Sequence, residues 1–246
     1  MVKAAVKKIF NQLGYEVINK KAPVQLYYDL DREFHDRYEL AQEKCQMAGT
    51  DNALRRQRHY TLSYLLKNAP LASGEVCELG CWRGLSAYQI AHHLRAAGAK
   101  SVFHIFDSFE GLSPFEAADI PEGGEDVLEA RRKQFACSLG TVQDNLKEFP
   151  FIRYYKGWIP NRFSEVKDRP FSFVHIDVDM YQPIADAFRF FYPRLVKQGI
   201  MVFDDYGYTQ FPGAKKAVDE CLKEFHCPFF VPLPSGQAFL IKGLKD

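Results

Sequence analysis

From Gly74 onward the chain alternates short apolar runs with stretches of helical periodicity. The runs Glu75–Leu79, Ser101–Phe106, Ile152–Tyr155, Phe171–Ile176 and Gly199–Phe203 are rich in Val, Ile, Phe and Tyr and bounded by Gly, Asp or Pro, so they read as strands. Helices fill the gaps. Ala87–Ala97 follows the first run; Ile184, Ala187, Phe188, Phe191 and Leu195 recur at helical spacing after the fourth; Ala214, Ala217, Val218, Cys221, Leu222 and Phe225 do so after the fifth. Strands that alternate with helices predict a mostly parallel sheet covered on both faces. The end differs: Phe229–Pro232 and Gln237–Ile241 flank a Pro/Ser/Gly turn and read as a hairpin.

Before this pattern, residues up to about Ala69 read as helical, with polar breaks around Lys20–Pro23 and Gly49–Asn52. The expected organisation is an N-terminal helical segment, 1–69, that packs on or caps the body, followed by an α/β domain over 70–246. Val6, Ile9, Phe10 and Leu13 share one helical face beside lysines. Such a helix can associate weakly with a membrane surface or bind a partner; the commoner outcome is packing on the protein.

Composition narrows the function classes. Hydrophobic residues are 47% and charged residues 26%, ordinary for a globular protein, and a net charge of +1 argues against nucleic acid as the main partner. The six cysteines are too dilute for a disulfide scaffold, and the 77/81 and 221/227 spacings are not CxxC. Buried free thiols, a reducing compartment and a cytoplasmic location are expected. The sequence allows a homo-oligomer without specifying one.

Ligands of open parallel sheets bind beyond the carboxyl ends of the strands. The first strand ends in Glu78-Leu79-Gly80-Cys81-Trp82-Arg83-Gly84, which runs straight into a helix. Glycines let the backbone approach a ligand closely, and a carboxylate beside them can pair with an amine. The GxGxxG fingerprint that serves a pyrophosphate is absent, whereas S-adenosylmethionine carries an amino-acid end that suits Glu78. A plain packing turn is the alternative. Asp107 ends the second strand about thirty residues later, where a carboxylate can accept two ribose hydroxyls.

Two further strand ends are acidic: Asp177-Val178-Asp179-Met180-Tyr181 and Asp204-Asp205-Tyr206. In a parallel sheet they lie on one edge, beside the glycine turn. Four converging carboxylates repel unless protonated or neutralised, and oxygen ligands suit Mg²⁺ or another divalent cation. Helix caps and turn formers are the alternative reading.

These stretches, with Phe106-Asp107-Ser108-Phe109-Glu110-Gly111-Leu112 and Pro212-Gly213-Ala214, resemble the macrocin O-methyltransferase (TylF-like) family from about Tyr60 to the end. That family methylates sugar hydroxyls on macrolides, aminocoumarins and related glycosides. The resemblance implies a Rossmann-like class I methyltransferase fold with seven strands, the last antiparallel. It implies that Glu78, Gly80, Gly84 and Asp107 hold the cofactor, with Ser108 and the Gly157-Trp158 turn near its ribose and adenine. It further implies that Asp177, Asp204 and Asp205 bind metal and that Asp179 is a general base, with support of the metal as its other role. Leu85 stands where the family often has glycine, and Gln182-Pro183 replaces Ser-Thr.

The expected reaction is metal-assisted methyl transfer to a hydroxyl, with Asp177 also acting on the acceptor and a small molecule or glycoside as partner. A catechol-type acceptor is an alternative. A two-metal phosphohydrolase and a non-catalytic partner subunit are more distant ones. The stretch Leu112–Leu146 opens with Glu116, Asp119, Glu122, Glu125 and Asp126 before turning helical, and reads as a lid or as a solvated insertion.

Overall fold

The computed structural model describes residues 30–47, 49, 51–122 and 124–244. The amphipathic segment at Val6–Leu13 and the break at Lys20–Pro23 lie outside the described residues. Among the described residues two helices come first, α1 (Arg32–Lys44) and α2 (Ala53–Lys67). Then follow β1 (Glu75–Leu79), α3 (Leu85–Ala96), β2 (Phe103–Asp107), α4 (Glu125–Gln134), α5 (Leu139–Asn145), β3 (Ile152–Lys156) and β4 (Phe171–Ile176). The chain ends with α6 (Tyr181–Arg194), β5 (Leu195–Phe203), α7 (Pro212–Glu224), β6 (Phe230–Pro232) and β7 (Ala238–Ile241).

The seven strands form one sheet in the order β3-β2-β1-β4-β5-β7-β6. The first five pair in parallel, and β7 runs antiparallel to both β5 and β6, as the hairpin reading predicts. Order reverses between β1 and β4, so the crevice above their carboxyl ends is the expected ligand site. This is the Rossmann-like class I methyltransferase arrangement.

Strand residues alternate between two cores. Cys77, Leu79, Phe106, Val174, Ile176, Met201 and Phe203 pack with α6 and α7. Val76, Phe103, Ile105, Phe173, Ile200 and Val202 face α1, α2, α3 and α5. The period-2 geometry of a strand sends neighbours to opposite faces, and covering both faces makes the runs apolar throughout.

Leu195 departs from the sequence expectation. The helical spacing carries it into α6, but it opens β5 with extended backbone (φ −68°, ψ 130°). Pro193 withdraws a donor from the last turn, and the Lys242 ammonium donates to the carbonyls of Tyr192, Pro193 and Leu195 at 2.9, 3.0 and 2.7 Å. All six cysteines are free, with Cys77 and Cys221 buried as expected.

Helix α2 matters most for the site. Its N-cap Asn52 accepts the Arg55 backbone N–H at 2.9 Å. Asn52→Ala is expected to cost about 1 kcal/mol, read as a fall of about 2–4 °C in Tm.

Candidate active site

A cavity of about 420 Å³ lies over the β1/β4 crevice, within the size range of small-molecule sites. Its lining includes Gly80, Trp82, Asp107, Ser108 and Trp158 together with Asp177, Asp179, Asp204 and Asp205. The glycine turn and the acidic strand ends, far apart in sequence, thus border one space.

The turn is built for close approach. Gly80 has φ +80°, and a Cβ there would overlap the Asp177 carbonyl oxygen and lie 2.8 Å from its carbon. Gly84, at φ +91°, starts α3 and faces the Leu146 side chain. Asp107 ties the turn down: its Oδ2 accepts from the backbone N–H groups of Cys81 (2.7 Å) and Trp82 (3.3 Å), and its Oδ1 from Phe109 (2.6 Å). Each oxygen has two lone pairs, so Oδ2 is filled by its two bonds and Oδ1 keeps one acceptor site. The Ser108 hydroxyl closes the following loop, donating to the Gly111 carbonyl at 3.0 Å and accepting from the Glu110 N–H.

Glu78 lies beneath the turn and is fully buried. Its Oε1 meets His175 Nδ1 at 2.9 Å, across the β1–β4 pair in which Glu78 and His175 are register partners. Its Oε2, although buried, has no hydrogen-bond partner among the described residues. A buried orphan carboxylate oxygen beside a glycine cradle suits a cofactor with a cationic group.

None of the four downstream aspartates caps a helix. The N-cap of α6 is Met180 and that of α7 is Phe211, neither with a side-chain cap bond. Instead His175, Asp177 and Asp204 bring one ligand atom each to within 4.8 Å of one another. Asp204 Oδ1 accepts from Gln237 Nε2 at 2.6 Å and lies 3.4 Å from His175 Nε2. Asp205 is buried, and its Oδ2 has no hydrogen-bond partner among the described residues. Burial, then repulsion from Asp205, pushes Asp177 up to about 7. Asp179 holds a left-handed backbone (φ 61°), and burial with the Asp205 and Asp177 charges pushes it well above the carboxylate range. Excess negative charge, converging donors and an orphan oxygen together suit a divalent cation.

Two members of the cluster escape sequence reading. His175 sits inside an apolar run, and only its pairing with Glu78 across the sheet marks it. Arg58, on α2, is ion-paired with Asp204, sits 3.3 Å from Asp205 Oδ1, and donates to the Asp204 carbonyl at 3.0 Å. No local motif points to it, because its partners lie 146 and 147 residues away.

Asp119 also differs from the sequence picture of a solvated acidic stretch. It is 1% exposed. Its Oδ1 accepts the Tyr181 N–H at 2.7 Å and its Oδ2 the Glu116 N–H at 2.9 Å, and a Cβ on Gly213 would overlap Oδ1. It fills the uncapped start of α6 and pins the stretch between β2 and β3 against α7.

The family model for macrocin O-methyltransferases (TylF) matches residues 21–226. The chain belongs to this family. The family places it among O-methyltransferases that use S-adenosylmethionine. Among similar proteins, the 8-demethyl-8-(2,3-dimethoxy-α-L-rhamnosyl)-tetracenomycin-C 4'-O-methyltransferase of Streptomyces olivaceus is 26% identical over 90% of this chain and 81% of its own length. The demethyldecarbamoylnovobiocin O-methyltransferase of Streptomyces niveus is 27% identical over 62% of this chain, and the match spans 59% of that enzyme. Of solved structures, the calicheamicin methyltransferase CalS11 superimposes with TM-score 0.66 at 17% identity, covering 93% of this chain and 98% of that one. The O-methyltransferase NovP gives 0.63 at 22% identity, covering 76% and 79%. Both have the same fold as this TylF-family chain.

Proposed function

We infer that this TylF-family enzyme transfers a methyl group to a sugar hydroxyl of a small glycoside, assisted by Mg²⁺ or another divalent cation. The observation that carries the reading is the shared cavity, lined by the glycine turn and Asp107 together with the aspartate cluster. The glycoside acceptor is supported by relatives whose names describe methylation of rhamnosyl and novobiocin-type compounds.

In this reading S-adenosylmethionine supplies an electrophilic methyl group, held through Glu78, Gly80, Gly84, Asp107, Ser108 and Trp158. A divalent cation held by Asp177, Asp204 and Asp205, with His175 alongside, would supply Lewis-acid polarisation of an oxygen. The rest is the work of the chain. Asp107 fixes the turn so that donor and acceptor meet in one orientation. Asp179 takes the hydroxyl proton. The segment between β2 and β3, pinned through Asp119, covers the site against water, with Phe135 in edge contact with Trp82 of the glycine turn at 5.2 Å. Helix α2 of the N-terminal helical segment caps the site and the α/β domain that follows carries the catalysis, a division supported by Arg58 reaching the cluster from α2.

The test combines calorimetric titration with S-adenosylhomocysteine and a mass-resolved methylation assay on glycosides and catechols. Binding, together with glycoside methylation that EDTA abolishes and Mg²⁺ restores, is the expected outcome. Turnover that survives EDTA removes the cation from the reading. Methylation confined to catechols removes the glycoside.

A further inference from the structure

Arg58 occupies an unusual position for a helix surface residue. One of its nitrogens, Nη2, faces the Asp204 carboxylate, Asp205 Oδ1 and the Asp204 carbonyl together. The Tyr208 ring lies 4.7 Å from the guanidinium carbon, and the side chain is only 16% exposed. That nitrogen therefore draws on carboxylate oxygens of the same two residues on which a divalent ion would draw. A guanidinium and a metal ion cannot both be close to these oxygens without strong mutual repulsion. A simple clamp between α2 and the end of β5 would require one carboxylate; here the arginine spans two, and Asp205 still has a buried oxygen without a hydrogen-bond partner among the described residues.

We propose that Arg58 is a resident counter-ion that holds Asp204 and Asp205 in the metal-free enzyme and must give them up, wholly or in part, when a divalent cation loads. This rests on the divalent-cation reading above. It makes ion loading a competition: the arginine keeps the cluster from repelling itself apart when empty, and weakens its affinity for the ion. It also ties occupancy of the cluster to the seating of α2, because Arg58 is carried one turn into that helix behind the Asn52 cap.

The experiment compares Mn²⁺ binding to the full-length wild type and to Arg58→Gln, by paramagnetic resonance of free Mn²⁺, with S-adenosylhomocysteine binding as the check on folding. Removing a like charge from the ion's immediate surroundings is expected to tighten Mn²⁺ binding roughly tenfold or more. Equal or weaker binding overturns the proposal, because the arginine would then be a neutral clamp or an aid to the ligands. A second measurement uses the wild type, in case the variant is poorly folded. In arginine-labelled protein the Arg58 Nε–H resonance, identified by its absence in Arg58→Lys, should shift saturably with Mg²⁺. A resonance that stays put while Mg²⁺ binds overturns the proposal. If neither protein binds Mn²⁺ at millimolar concentration while both bind S-adenosylhomocysteine, the cation reading fails and the proposal with it. That pattern is distinct from equal affinities.

Discussion

Gly80→Ala is expected to abolish cofactor binding and destabilise the whole fold. The residue sits at φ +80°, where an alanine pays about 1–2 kcal/mol in backbone strain alone. Its Cβ would also overlap the carbonyl oxygen of Asp177, a backbone atom with nowhere to go. The neighbourhood is fixed from both sides: Gly80 N–H donates to Phe106 O at 2.8 Å, and Asp177 N–H to Leu79 O at 2.8 Å. Relief must come from parting β1 and β4 at the crevice itself. A displacement of about 1 Å among groups that position reactants costs on the order of 100-fold in rate, so methyl transfer should fall by at least that much, and S-adenosylhomocysteine titration should show the loss of binding directly. Urea unfolding should show a loss above ~2 kcal/mol. Gly84→Ala is the informative comparison. It carries the same backbone strain, but its new Cβ would meet the movable tip of Leu146 at 3.3 Å. If the two variants behave alike, the close approach at Asp177 is not what makes Gly80 necessary.

Asp204→Ala should be the most damaging change in the acidic cluster. Asp204 is 8% exposed and answers three groups at once: Arg58, Gln237 Nε2 and His175 Nε2. Its removal leaves Arg58 with Asp205 as its remaining carboxylate contact and strands the Gln237 amide. Breaking a buried pair from one side costs about 3–5 kcal/mol, because the surviving charge stays desolvated. Asp204→Asn keeps the shape but sets an amide donor toward donors, so it should destabilise less while lowering methyl transfer by roughly 10²–10³-fold. Denaturant midpoints and initial rates at saturating Mg²⁺ separate the two effects. An Asp204→Asn enzyme with full activity would remove Asp204 from the chemistry.

Both residues were accessible to sequence reasoning, for a physical reason. A parallel sheet buried on both faces announces its strands as apolar runs, so β1 and β4 could be bounded to the residue, and polar residues just past their ends stand out. The same logic weakens where polarity intrudes. The opening of β5 carries Lys197 and Gln198, both exposed, and the helical spacing of α6 runs on through Leu195, so the strand starts four residues before the apolar run suggests. Within the site, Glu78, Asp107, Asp177 and Asp204 were legible as strand-end carboxylates. Their actual bonding was not. Asp107 holds backbone N–H groups of the turn, Glu78 is bonded to His175 under the floor, and Arg58 arrives from a helix whose face gives no hint of its target. Such contacts depend on tertiary packing over long sequence separations, and they leave no periodic trace.

Asp119 carries a consequence for exchanging parts between relatives. The start of α6 has no cap of its own, and borrows one from a residue 62 positions earlier in the segment between β2 and β3. That segment cannot be treated as a detachable cassette. A graft that lacks an acidic residue at 119 exposes the Tyr181 N–H, and one placed opposite anything larger than glycine at 213 has no room for its carboxylate. Swapping this segment to alter acceptor choice therefore means moving three sites in the chain together: the segment, the first turn of α6 and the first turn of α7.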